Sequence, residues 1–162
     1  MLTNYECNTP KDFDFIIGDW SVKHRRLTCF LTECDEWIEF TGTSSVQKTL
    51  GGFGNIEDVQ LQLPTSPYRA IALRSYDSMS QNWSIWWLDG RSPNTLDVPV
   101  VGQFKQGIGE FFADEVIKGV PVKVRFTWFS TNPNTPRWEQ AFSKDNGATW
   151  QTNWIMTFAK RM

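Results

Sequence analysis

From residue 18 onward the chain alternates. Trp20, Val22, His24 and Arg26 fall on one side of an extended segment, and Ser21, Lys23, Arg25 and Leu27 on the other. That two-residue period is the mark of a strand with one buried face. After a polar turn near Glu33 to Glu36, a second extended run covers Trp37 to Gln47. Gly51, Gly52 and Gly54 interrupt it before Ile56 to Leu63, and Pro64 to Pro67 makes a turn. Further strands are predicted at Tyr68 to Tyr76, Trp83 to Asp89, Val100 to Lys105, Gly109 to Ala113 and Val120 to Phe129. A final hairpin pairs Arg137 to Ser143 with Thr149 to Lys160. One helical start precedes them. Thr9 can cap, Pro10 suits the first helical position, and Phe13, Ile16 and Ile17 recur at helical spacing before Gly18, so a short N-terminal helix is expected.

About nine or ten short strands, each separated by a Gly, Pro, Asn or Asp turn, predict an all-β chain. The meander closes into a single antiparallel up-and-down barrel or folds as a two-sheet sandwich. Closure is favoured because it removes the edges that long aromatic strands would otherwise expose. The 162 residues suit one domain, 1–162, with the barrel from about residue 18 to about residue 160. No repeat of propeller-blade length and no linker interrupts the chain.

The hairpin segment SKDNGATW fits Ser-x-Asp-x-Gly-x-Thr-Trp and resembles the Asp-box of sialidase-type β-propellers. A propeller needs several blades of about 40 residues each, and the match occurs once. It reads as a turn: Asp145 accepts backbone N–H groups, Gly147 permits a positive φ, and Trp150 packs over the loop.

Charge narrows the partners. Sixteen basic against eighteen acidic residues leave a net charge of −2, which gives no general attraction to nucleic acid or to an anionic membrane. Lys23-His24-Arg25-Arg26 looks basic, but on a strand it divides between two faces. The longest apolar runs, such as Phe15-Ile16-Ile17, fall far short of a membrane span. No basic region followed by an apolar stretch opens the chain, so no signal peptide is read there. Cys7, Cys29 and Cys34 lack a Cys-x-x-Cys pair, and reduced thiols in a cytoplasmic protein are the simpler expectation. Nine tryptophans and twelve phenylalanines are enough either to fill a core or to line a cavity for a flat apolar ligand.

Gly18-Asp19-Trp20 resembles the Gly-x-Trp signature of lipocalins and their calycin relatives. Taken with FDFIIGDWSVKHRRL, WIEFTGTSSV, VPVVGQFKQGIGEFF, VRFTW and RWEQAFSKDNGATWQTNW, the chain is similar, from about Phe13 to Phe158, to a widespread bacterial family of uncharacterised calycin-like small domains. The resemblance implies a β-barrel with an internal cavity and no settled activity. It also implies that Trp20 closes the barrel floor under a late-strand basic residue, Arg161 or Arg125.

Polar residues on an aromatic inner face are the candidates for chemistry. His24, the one histidine, shares a face with Trp20 and could act as a general base, orient a ligand, ligate haem, or sit as a hydrogen-bonded barrel residue. Glu39 shares a face with Trp37, Arg74 with Tyr68, Ala70 and Ala72, and Asp89 with Trp83, Ile85 and Trp87. Arg125 alternates with Val124 and Phe126, and Glu139 with Trp138 and Gln140. Each of these charged groups is either an interior contact or an outward, solvated one. No zinc-ligand spacing, P-loop, dinucleotide fingerprint or nucleophile elbow occurs, so neither metal nor cofactor is expected.

The leading expectation is a barrel binding a small apolar or aromatic molecule. Trp20, Trp37, Trp87, Trp128 and Trp154 would be its walls, and His24, Glu39, Arg74, Arg125 and Glu139 its polar contacts. A second reading is an enzyme that uses His24 or Glu139 as proton carrier in isomerisation, cyclisation or hydration. A third is a homo-oligomeric interaction module, a homodimer through an exposed aromatic sheet face.

Overall fold

The computed structural model describes residues 8–162. Ten antiparallel strands form a closed barrel: β1 (Gly18–Leu27), β2 (Trp37–Thr49), β3 (Gly54–Leu61), β4 (Tyr68–Asp77), β5 (Asn82–Asp89), β6 (Val100–Lys105), β7 (Ile108–Ile117), β8 (Val120–Phe129), β9 (Arg137–Ser143) and β10 (Gln151–Lys160). Each strand pairs with its chain neighbours, and β1 pairs with β10 to complete the ring. The closing register sets Val22 opposite Phe158 and Arg26 opposite Trp154. The all-β antiparallel barrel is therefore present. The expected N-terminal helix is not: its place is taken by a single 3-10 turn, Asp14–Ile16. Phe13, Phe15 and Ile16 turn towards the barrel, where helix propagation would have needed more turns than Gly18 leaves room for.

That turn plugs one end. Phe13 and Ile16 are buried, and Phe13 packs edge-on against Trp83 and Phe104 at 4.9 Å each. Trp20 Nε1 donates to the Ile16 carbonyl at 2.7 Å, and Trp83 Nε1 donates to Asp12 at 3.0 Å. The base over the Trp20 ring is Lys160, with Nζ 4.5 Å from the ring centroid, in place of the expected Arg161 or Arg125.

Pairing is long everywhere except between β5 and β6, which share the three pairs Trp83–Gly102, Ser84–Val101 and Ile85–Val100. Beyond Ile85 the strands diverge, and the segment 90–99 folds back across the gap. Asp97 N–H donates to the Trp87 carbonyl at 3.1 Å, and Leu88 bridges Leu96. The second end of the barrel is thereby left open, with this segment on its rim.

At the β9–β10 turn the Asp145 carboxylate accepts from Thr149 N–H and Ser143 Oγ, both at 2.8 Å. Gly147 has φ 91°, and Trp150 Nε1 donates to the Gly147 carbonyl at 3.1 Å. The Asp-box pattern is a hairpin lock. These bonds hold the Asp145 carboxyl down at about 2, the Thr149 hydroxyl being the largest cause.

Cys29 and Cys34 are joined by a disulfide, with Cα atoms 6.0 Å apart, which corrects the expectation of reduced thiols for this pair. The reason is local: the 28–36 loop doubles back between β1 and β2, as the Thr28 N–H to Glu36 carbonyl bond of 3.0 Å records. Cys7 lies outside the described residues.

Candidate functional site

The inner face explains what the interior can do. Along β1 it carries Trp20, Val22, His24 and Arg26. Along β4 it carries Tyr68, Ala70, Ala72 and Arg74, and along β8 Val122, Val124, Phe126 and Trp128. Small side chains on β2 (Gly42, Ser44) and β4 (Ala70, Ala72), all buried, sit among the large rings. At the open end lies a cavity of about 390 Å³. Its walls are Trp87, Trp138, Trp154, Phe126, Phe142 and Phe30, with Ile85, Val100 and Val124 between them. The rings of Trp138 and Trp154 meet edge to face at 5.3 Å, and Trp87 meets Trp154 in the same way at 5.8 Å. These edge-to-face contacts fix the walls in place.

Polar groups gather at the rim. Arg26 lies 4.4 Å from the Trp154 ring centroid and donates to the Tyr68 hydroxyl at 3.2 Å. Gln140 donates to Asn153 at 2.8 Å. Asp89, Asp97 and Glu115 stand across the mouth. Burial raises the carboxyls of Asp97 and Glu115, and each has a neighbouring carboxylate that adds to the rise. Asp89 is lowered instead by its hydrogen bonds to Arg91.

Below this cavity is a second void of about 20 Å³. Ile85, Trp87, Phe126 and Trp138 line both spaces, so the two are neighbours that share these side chains. The lower void is bounded by Trp128, Met156, Phe158, Ala72 and an ion pair, Arg74–Glu57. The pair's side chains are 2% and 4% exposed. Arg74 also donates to Asn55 at 2.8 Å, and Ser44 donates to Glu57 at 2.7 Å.

His24 is buried beside this column, stacked on Phe40 at 4.6 Å with the two rings nearly parallel. Its Nδ1 accepts from Trp154 Nε1 at 3.1 Å, so the proton of the neutral ring sits on Nε2. Burial, with help from the Arg26 charge, holds the imidazole down at about 3. A ring that weakly basic stays neutral across the physiological range. In that form its Nδ1 accepts the Trp154 indole hydrogen bond.

Of the ten residues expected to contact a ligand, Trp87 and Trp154 line the upper cavity, and Trp128 and Arg74 line the lower void. Trp20 faces inward but belongs to the plug, and His24 faces inward without lining either space. The remaining four face outward. Trp37 stacks under Arg25, 4.6 Å from its ring centroid, and Glu39, 79% exposed at its side chain, approaches the same arginine. Arg125 lies over the outer ring of Trp150 at 4.4 Å. Glu139 pairs with Arg137 two residues before it on the outer face of β9. An expectation that placed these four inside is corrected by strand phase: Phe40, Val124 and Trp138 occupy the inner positions beside them. Glu139 therefore cannot reach the interior as a proton carrier.

Glu57 was missed. Its signal was present, because Asn55, Glu57, Val59 and Leu61 fall on one face of β3, and the two aliphatic members mark that face as buried. Arg26, Tyr68 and Gln140 at the rim also belong to the site. Among the described residues no group of three or more His, Cys, Asp or Glu side chains could hold a metal ion. The chain matches no protein-family model, and no curated protein is significantly similar to it.

Proposed function

We propose that this barrel binds a small, largely apolar or aromatic molecule in its interior, in the manner of calycin-like carriers. The observation that carries the reading is the cavity of about 390 Å³ whose walls are indole and phenyl rings, within the volume and character of small-molecule pockets. A core merely filled by rings would close this space, since interiors otherwise pack to crystal density. The rim supports entry at that end. Arg26, Tyr68 and Gln140 on one side, and Asp97 and Glu115 on the other, keep the mouth wet while the shaft below is apolar. The ligand then stands with its ring plane against Trp87 and Trp138.

Three of the nine tryptophans line the cavity, so emission reports occupancy. Titration with 2-ethylnaphthalene gives a saturable change in tryptophan emission at one molecule per chain. Val124→Phe pushes a ring into the void and weakens that binding by about tenfold or more, with the barrel still folded by circular dichroism. A wild-type protein whose emission shows no saturation with any flat apolar probe overturns the reading.

A further inference from the structure

Two side chains that line the lower void each carry a buried hydrogen-bond donor without a partner among the described residues. Arg74 spends its two terminal nitrogens on Asn55 and Glu57, yet its Nε–H has no partner among the described residues. Trp128 Nε1–H is likewise unpartnered. Both side chains are 2% exposed, and both line the void of about 20 Å³. A buried donor left unpaired is destabilising, so two such side chains around one small space call for an acceptor there. The space suits one atom or one water, which needs roughly 10–15 Å³.

We infer that the lower void is an acceptor subsite for a neutral carbonyl oxygen, carried by the leading end of the apolar molecule that fills the cavity above. The inference rests on the ligand-binding reading and specifies the chemistry of its ligand: a small aromatic ketone, amide or quinone. Charge selects the neutral class. The guanidinium is already matched by Glu57, so a carboxylate entering here would bring a second, unmatched negative charge into a buried space with room for one atom or one water. An all-hydrocarbon end would leave both donors unpaired. In the empty barrel a single water fills the place, and the incoming carbonyl displaces it while keeping its hydrogen bonds.

Three probes of one shape test this: 2-acetylnaphthalene, 2-ethylnaphthalene and 2-naphthoate. Trp128→Phe removes the indole donor and keeps a ring. The variant is expected to weaken 2-acetylnaphthalene by about five- to tenfold and to leave 2-ethylnaphthalene unchanged. In the wild-type protein the infrared carbonyl stretch of bound 2-acetylnaphthalene shifts below its value in hexane, a readout that does not depend on the variant folding. A stretch at the hexane position, an equal effect of Trp128→Phe on both neutral probes, or tighter binding of 2-naphthoate than of the ketone overturns the subsite while the cavity reading stands. Failure of both neutral probes to bind removes the cavity reading and this inference with it.

Discussion

Arg74→Met loses about 3–5 kcal/mol of folding stability, the largest single effect expected anywhere in the barrel. The substitution nearly conserves volume, so packing alone would cost little. What it removes is the partner of Glu57, a carboxylate 4% exposed at its side chain and surrounded by the apolar floor of the cavity. Ser44 still donates one hydrogen bond, but one hydroxyl does not offset a buried charge. Small domains have only about 5–15 kcal/mol in total, so Arg74→Met melts on the order of 10 °C lower. Glu57→Leu added to Arg74→Met removes the orphaned charge and restores most of the loss. Urea unfolding of both singles and the double closes the cycle. A single variant within 1 kcal/mol of wild type, or a double no more stable than the Arg74→Met single, contradicts the assignment.

The second large effect is acid sensitivity from His24. The imidazole is held down at about 3 in the fold, against about 6.5 in the unfolded chain. Between those values the unfolded state binds the extra proton and the folded state does not. Stability therefore rises with pH through that window, is complete above about 6.5, and falls by about 1.4 kcal/mol per unit on acidification. His24→Asn keeps an acceptor for the Trp154 indole and loses the titration. Comparing the two proteins cancels the carboxylates they share, including Asp145 and Asp89, whose lowered values lose stability only as pH falls further. Urea midpoints at pH 7.5, 5.5 and 4.5 should show wild type losing about 2 kcal/mol or more relative to His24→Asn by the lowest pH. Parallel losses in the two proteins refute the neutral, buried imidazole.

Both effects depend on groups whose visibility in the sequence differs. His24 was readable because β1 alternates cleanly: Trp20, Val22 and His24 have charged or small polar neighbours at every intervening position. Arg74 was readable for the same reason, behind Tyr68, Ala70 and Ala72. On β2 the logic reversed. Its inner face carries Gly42 and Ser44, small residues that make room for rings across the barrel, while Trp37 lies outside against Arg25. A large aromatic on the outer face then drew Glu39 inward with it. Arg125 was placed by its alternation with Val124 and Phe126, and it lies outside because the Trp150 ring on the outer surface gives the cation a partner there. Hydrophobicity marks a strand's buried face only where the far face has no aromatic partner of its own.

The turns were more legible than the faces. Val100–Lys105, Val120–Phe129 and Arg137–Ser143 begin and end where Gly, Pro and Asn set them. The strand β7, expected to stop at Ala113, runs on to Ile117, because Asp114, Glu115 and Val116 pair along β8 despite their polar character. That extension puts Glu115 on the rim. Closure itself, the pairing of β1 with β10, rests on contacts between residues more than 100 positions apart, such as Trp154 with His24, and no local pattern encodes it.

The central claim is that the aromatic shaft is a receptacle. Diffraction from crystals soaked in 2-ethylnaphthalene tests it most directly. A flat feature of density is expected inside the cavity, against Trp87 and Trp138, with the rings of Trp87, Trp138 and Trp154 unmoved from their positions in the empty barrel. Rings collapsed onto one another in that space, with no density for the probe at saturating concentration, would contradict it.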